Sequence, residues 1–213
     1  MRFFLKYVAL LIMAFFFVSS VFALERPEVE LKAVTDQMLS ALKRENQSIK
    51  NNPQRLVLII EKILIPHVDV YDMSRWVVGR NAWLKATPTQ QAQFSKEFKN
   101  LLIRTYASNL TAYNDQVIEY LPVKEEEAKK SRVLVATLIE QAGRNPIHVS
   151  YRLRNSGGKW MLYDINVEGV SLLAGFKAQF QSDIQQFGIN SVIDKMQTHN
   201  DKPIALNIDY NTR

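Results

Sequence analysis

The sequence predicts an α+β fold in which a curved, antiparallel four-stranded sheet packs against a helical subdomain and is closed by C-terminal helices. Apolar residues recur at helical spacing up to about Asn114, at a period of two from Gln116 to Val167, and at helical spacing again from Val170. The period-two runs are separated by turn residues, not helices, so an antiparallel meander is the simplest topology. The chain has no cysteine, which leaves packing to hold the fold.

The first residues read as an export signal. Arg2 and Lys6 precede the apolar stretch Tyr7 to Val18, and Ser19-Ser20 lead into Val21-Phe22-Ala23, a small-x-small site for cleavage between Ala23 and Leu24. The apolar stretch is shorter than the roughly 20 residues a bilayer span needs, which favours a cleaved signal over an anchor. No cysteine follows the site, so no lipoprotein anchor is expected. The expected divisions are a signal peptide over 1–23, a folded domain over 24–198 and a polar tail over 199–213. Within the domain, helices occupy 27–113, the sheet 116–167 and the closing helices 170–198.

Leu31, Val34, Met38 and Leu42 define an amphipathic helix from Pro27 to about Ser48. Asn52-Pro53 reads as a cap with proline opening a second helix, carried by Leu56, Ile59, Ile60 and Ile63 and stopped by Pro66. A short third helix runs from Asp69 to Val78 and ends at Gly79. Thr87-Pro88 opens a long helix with Phe94, Phe98, Leu101, Leu102, Thr105 and Leu110 inward. The four strand-like runs are Gln116 to Leu121, Ser131 to Glu140, Pro146 to Arg154 and Lys159 to Val167. Glycines in Asn155-Ser156-Gly157-Gly158 suit a tight hairpin. Helix returns from Val170 to Phe187, with Leu172, Leu173, Phe176, Phe180 and Ile184 inward, and a last helix spans Asn190 to Thr198.

Loss of the signal lowers the formal charge from +6 to +4, a mild basicity spread along the sequence, so nucleic acid is not expected as a partner. No phosphate-binding glycine loop or nucleophile elbow is present. His67 with Asp69 and Asp72 reads as a capped helix start, not a metal site. Arg75 and Arg80 read as ion-pair partners of Asp69 and Asp72, and Trp76 as a packing anchor.

Two stretches carry a resemblance. Ile65 to Arg80, with Trp83, Ala86-Thr87-Pro88 and the aromatic stripe of the long helix, resembles the MlaC family. So do Pro146 to Leu153, Gly158-Lys159-Trp160, Tyr163-Asp164, Val167 to Leu172, and the closing Phe176, Gln179-Phe180, Ile184 and Gly188. Lys177 stands where the family's segment carries arginine. The resemblance covers about Pro27 to Thr198. It implies a cone-like sheet, lipid tails held inside, and a periplasmic protein of the pathway that maintains outer-membrane lipid asymmetry. It implies phospholipid as cargo, with no other cofactor. As partners it implies an inner-membrane Mla transporter complex with its MCE-domain protein and an outer-membrane Mla lipoprotein-porin complex.

A carrier of this kind needs large apolar residues, with aromatics where one edge stays wet. The candidates are Leu102, Tyr106 and Leu110 from the long helix, Val133, Val135, Tyr151, Leu153 and Trp160 from the sheet, and Val170, Leu173 and Phe176 from the closing helix. Two other classes fit parts of the sequence. A periplasmic adaptor or chaperone would bind protein through apolar helix faces. A cone-fold isomerase or dehydratase would use Tyr163-Asp164 with Tyr106 or Tyr151, but strand neighbours face opposite sides, so Tyr163 and Asp164 are not expected in one cavity. No catalytic residue is assigned.

Overall fold

A computed structural model describes residues 25–111, 116–141 and 143–204. The proposed signal peptide and cleavage site, and the tail beyond residue 204, lie outside the described residues.

Helix α1 (Pro27–Asn51) begins with proline at its first position, where the missing N–H costs nothing. The Asn52 side chain then accepts from the Gln54 N–H at 3.1 Å and caps α2 (Gln54–Ile63). A short turn, Ile65–His67, leads to α3 (Val70–Val78), capped by the Asp69 carboxylate accepting from the Asp72 N–H at 3.0 Å. Gly79, at φ 83°, ends α3 and allows the chain to restart at once as α4 (Arg80–Lys85), a helix without a signature in the sequence. Thr87 and Gln90 form a reciprocal capping box, at 3.2 and 2.8 Å, that opens α5 (Pro88–Thr111).

The sheet comprises β1 (Ile118–Tyr120), β2 (Arg132–Gln141), β3 (Arg144–Ser156), β4 (Lys159–Val167) and β5 (Val170–Ser171), in that order and antiparallel throughout. A short helix, α6 (Glu125–Ala128), lies in the charged loop between β1 and β2. The expected four-stranded, cone-like sheet is therefore corrected: five strands form, and the sheet is neither closed nor strongly curled. Glu168 and Gly169 both take positive φ, 49° and 85°, the backbone of a two-residue hairpin turn, and this folds Val170-Ser171 back beside Asn166 and Val167. Closure needs edge strands long enough to pair along their length, and β1 and β5 have three and two residues. The closing helix α7 (Leu172–Phe187) accordingly starts after β5, not at Val170. Ser171 caps it through the Ala174 N–H at 3.1 Å. Gly188 separates it from α8 (Ile189–Asn200).

Packing divides into three clusters. Phe94, Phe98, Phe176 and Phe180 form an aromatic centre among α3, α5, α7 and α8, with ring centroids 5.2 to 6.4 Å apart. Met38, Ala41, Leu56, Ile60, Ile103 and Ala107 join α1, α2 and α5. Val123, Val133, Val135, Leu153 and Trp160 form the third, on one face of the sheet.

Candidate functional site: an apolar pocket between α1 and the sheet

Alternation along β3 sends Tyr151 and Leu153 to one face and Arg152 and Arg154 to the other. Register shifts between Arg152 and Leu153, where β4 carries one extra residue: Leu153 faces Leu162, while Arg152 faces Asp164. The bulge keeps Trp160, Leu162 and Ile165 on the face of Tyr151 and Leu153. Leu31, Val34 and Met38 of α1, at helical spacing, lie over that face. Leu64 and Val68 close one side and Leu110 of α5 another. Between them lies a cavity of about 240 Å³ with an almost wholly apolar wall.

Polar groups in this wall are few. Glu30 accepts from the Trp160 backbone N–H at 3.2 Å and approaches His67 Nδ1 at 3.6 Å, a nitrogen that is buried without a hydrogen-bond partner. Burial pushes the His67 imidazole below its ordinary range and Lys159 adds to this, while the Glu30 carboxylate opposes both. Burial of the Tyr151 phenol pushes it up to about 12. The start of α1 is pinned to the sheet side by Trp160 Nε1 donating to the Glu25 carbonyl at 2.8 Å and by Arg26 donating to the Val123 carbonyl.

The eleven candidates divide among several places. Tyr151, Leu153, Trp160 and Leu110 line the cavity. Val133 and Val135 are buried beside it on β2, paired with Leu153 and Tyr151 in the register, and do not line it. Leu173 and Phe176 are buried in the helical core, with Leu102 and Tyr106 packed against it. Val170 is exposed on β5. The α1 residues were legible as an apolar stripe, but nothing in the sequence said which surface the stripe would cover. Val68 gave no signal of its own, and His67 was read only as part of a helix start.

On the opposite face, the bulge also brings Tyr163 and Asp164 to the lining of one groove, contrary to simple alternation. Asp164 is buried and already engaged. It accepts from Ser171 Oγ at 2.7 Å and from the Leu173 N–H at 3.2 Å, and stands 3.6 Å from Arg152. It is a structural carboxylate tying β4 to α7. Asp69 is paired with Arg154, and Arg75 with Asp72 at 2.8 Å. Among the described residues, no group of three His, Asp or Glu is placed to hold a metal.

An α+β protein with an apolar pocket and, among the described residues, no cluster of metal-ligating side chains is of the class that shelters an apolar ligand from water. The family model for the MlaC protein matches residues 32–198, and the chain belongs to the MlaC family. The toluene tolerance protein ttg2D of Pseudomonas putida is 30% identical over 166 residues, 78% of this chain and 76% of its own. The intermembrane phospholipid transport system binding protein MlaC of Haemophilus influenzae is 28% identical over 197 residues, 91% of each chain. The phospholipid-binding protein of Ralstonia solanacearum, solved in complex with a phospholipid, superposes with a TM-score of 0.74 at 29% identity. That match covers 81% of this chain and 96% of the other.

Proposed function

We propose that this chain is a periplasmic phospholipid carrier that holds acyl chains between α1 and the apolar face of the sheet, and is not an enzyme. The observation that carries the reading is the apolar cavity, lined from α1, α5, β3 and β4 and nearly free of polar surface. The relatives' names point the same way: one is a phospholipid transport binding protein, and the Ralstonia protein holds a phospholipid. A two-chain phospholipid exposes some 30 methylenes, and at ~0.8 kcal/mol each its transfer to water costs on the order of 20 kcal/mol. A shuttle must replace the bilayer interior almost completely. The cavity of about 240 Å³ is below the roughly 300–1,000 Å³ typical of ligand pockets, so the pocket must widen to take two acyl chains.

Residues 1–23 direct export and are removed on translocation. The carrier exchanges lipid with an inner-membrane Mla transporter complex through its MCE-domain protein, and with an outer-membrane Mla lipoprotein-porin complex. Native mass spectrometry of protein purified from a periplasmic extract without detergent tests the reading. Phospholipid bound at defined stoichiometry to a chain beginning at Leu24 is expected. A chain that never carries lipid, and that exchanges none with vesicles, would overturn it in favour of a protein-binding adaptor.

A further inference from the structure

A groove of about 740 Å³ lies on the other face of the sheet from the apolar pocket, among α3, α4, β2 to β4 and α7. Five cations line it: Arg75, Arg80, Arg132, Arg152 and Lys177. They face two carboxylates, Asp72 and Asp164, which leaves a formal +3. Without residues 1–23 the chain carries a formal +4, so most of its excess gathers in one concavity. Arg75 and Arg80 are close in sequence, but only the fold brings Arg132, Arg152 and Lys177 to them.

Their partners set this groove apart from an ordinary solvated surface. Arg75 and Arg152 are matched by Asp72 and Asp164. Among the described residues, Arg80, Arg132 and Lys177 have no carboxylate within ion-pair distance. Two of them rest instead on aromatic rings of the groove, Arg132 5.5 Å over Tyr163 and Lys177 4.7 Å over Trp76. A ring face orients a cation without neutralising it. Trp76, expected as a packing anchor, is 46% exposed, and Leu84 beside it is 71% exposed. Uncompensated cations, a half-exposed indole and an exposed leucine on one surface combine charge for phosphate with amphipathic groups suited to the head-group layer of a bilayer.

We infer that this groove seats the protein on anionic phospholipid surfaces, with Arg80, Arg132 and Lys177 meeting phosphate groups while the apolar pocket on the opposite face holds cargo. This rests on the carrier reading for its purpose, and on the groove alone for its geometry.

The experiment is flotation of the full mature protein with phosphatidylglycerol vesicles and with phosphatidylcholine vesicles, at low and high salt. Binding to the anionic vesicles only, weakened by salt, is expected. The variant Arg80→Gln/Arg132→Gln/Lys177→Gln is expected to bind about a hundredfold more weakly, at the ~1 kcal/mol per cation typical of such surfaces. The control Lys50→Gln/Lys96→Gln/Lys129→Gln, which removes equal charge elsewhere, is expected to bind nearly as the parent. Should the triple variant fail to fold, Arg80→Gln alone carries the test, with a loss of about fivefold. Equal binding to both vesicle types, an equal loss in the control, or an unaffected groove variant would overturn the inference. So would capture of free glycerol phosphate, or of an acidic protein, with no vesicle binding. Phospholipid extracted from the purified groove variant is expected at the parent's level. Lipid missing from parent and variant alike would strike the carrier reading and leave the vesicle result standing.

Discussion

Trp160 Nε1 donates to the Glu25 carbonyl at 2.8 Å, and this bond ties the strand that floors the apolar pocket to the residue two before the helix that roofs it. The Trp160 backbone N–H adds a second tie to Glu30. The roof is thus held at its N-terminal end by polar contacts, while Leu31, Val34 and Met38 meet the cavity itself. Trp160→Phe keeps an aromatic ring and removes one bond, so a stability loss of about 1 kcal/mol is expected. Hydrogen exchange over residues 25–31 is expected to quicken and lipid release to accelerate. Unchanged exchange there would mean that the indole bond does not hold the roof.

Val135 and Leu153 separate packing from cavity. Val135 is fully buried on the neighbouring strand and does not line the pocket, whereas Leu153 of the same cluster reaches the cavity wall. Val135→Trp is expected to destabilise by about 1 to 3 kcal/mol or more through overpacking. Leu153→Trp places part of its added volume in open space. Once both proteins are stripped of lipid, its melting transition is expected to stay nearer the parent's while the lipid recovered by extraction falls. The reverse ranking in the two measurements would mean that the cavity is ordinary core.

Much of this was legible in the sequence because local chemistry settles it. Thr87-Pro88 as a helix start, Asp69 as a cap and the end of the closing helix at Phe187 each rest on a few adjacent residues, and each forms as read. What was not legible depends on how elements meet. The β4 bulge depends on how β3 and β4 pair, and it brings Tyr163 and Asp164 onto one groove. The hairpin at Glu168-Gly169 needs a non-glycine residue at positive φ, so Val170 read as helix and became an edge strand. The basic groove was invisible for a third reason: its five cations sit singly along the chain, at positions 75, 80, 132, 152 and 177.

His67 gives a pH dependence whose sign follows from its burial. Its folded imidazole lies below the ordinary value of about 6.5, held there by desolvation and by Lys159 and opposed by Glu30. As pH falls through 6.5, the unfolded chain takes up the proton first, so stability declines until the folded imidazole also protonates. Denaturant midpoints measured from pH 7.5 to 4.5 are expected to fall less steeply in His67→Asn than in the parent. Identical slopes would remove His67 as a contributor.

The junction between β4 and α7 makes the last case. Asp164 accepts from Ser171 Oγ and from the Leu173 N–H, so one buried carboxylate fixes both the end of the sheet and the first turn of the closing helix. Asp164→Ala leaves the Leu173 donor buried without this partner, at a cost of about 2 kcal/mol. For a chain of this size that lowers the melting temperature by roughly 4–8 °C. Asp164→Asn retains a carbonyl oxygen for the Leu173 N–H and is expected to lose about half as much. Because Asp164 lies on the face of the sheet away from the apolar pocket, both variants are expected to carry phospholipid at the parent's stoichiometry below their melting temperatures. Thermal unfolding followed by circular dichroism, with lipid extraction from the same preparations, separates the two effects. Lost lipid in a variant that melts as the parent does would place Asp164 in cargo binding and refute its assignment as a structural carboxylate.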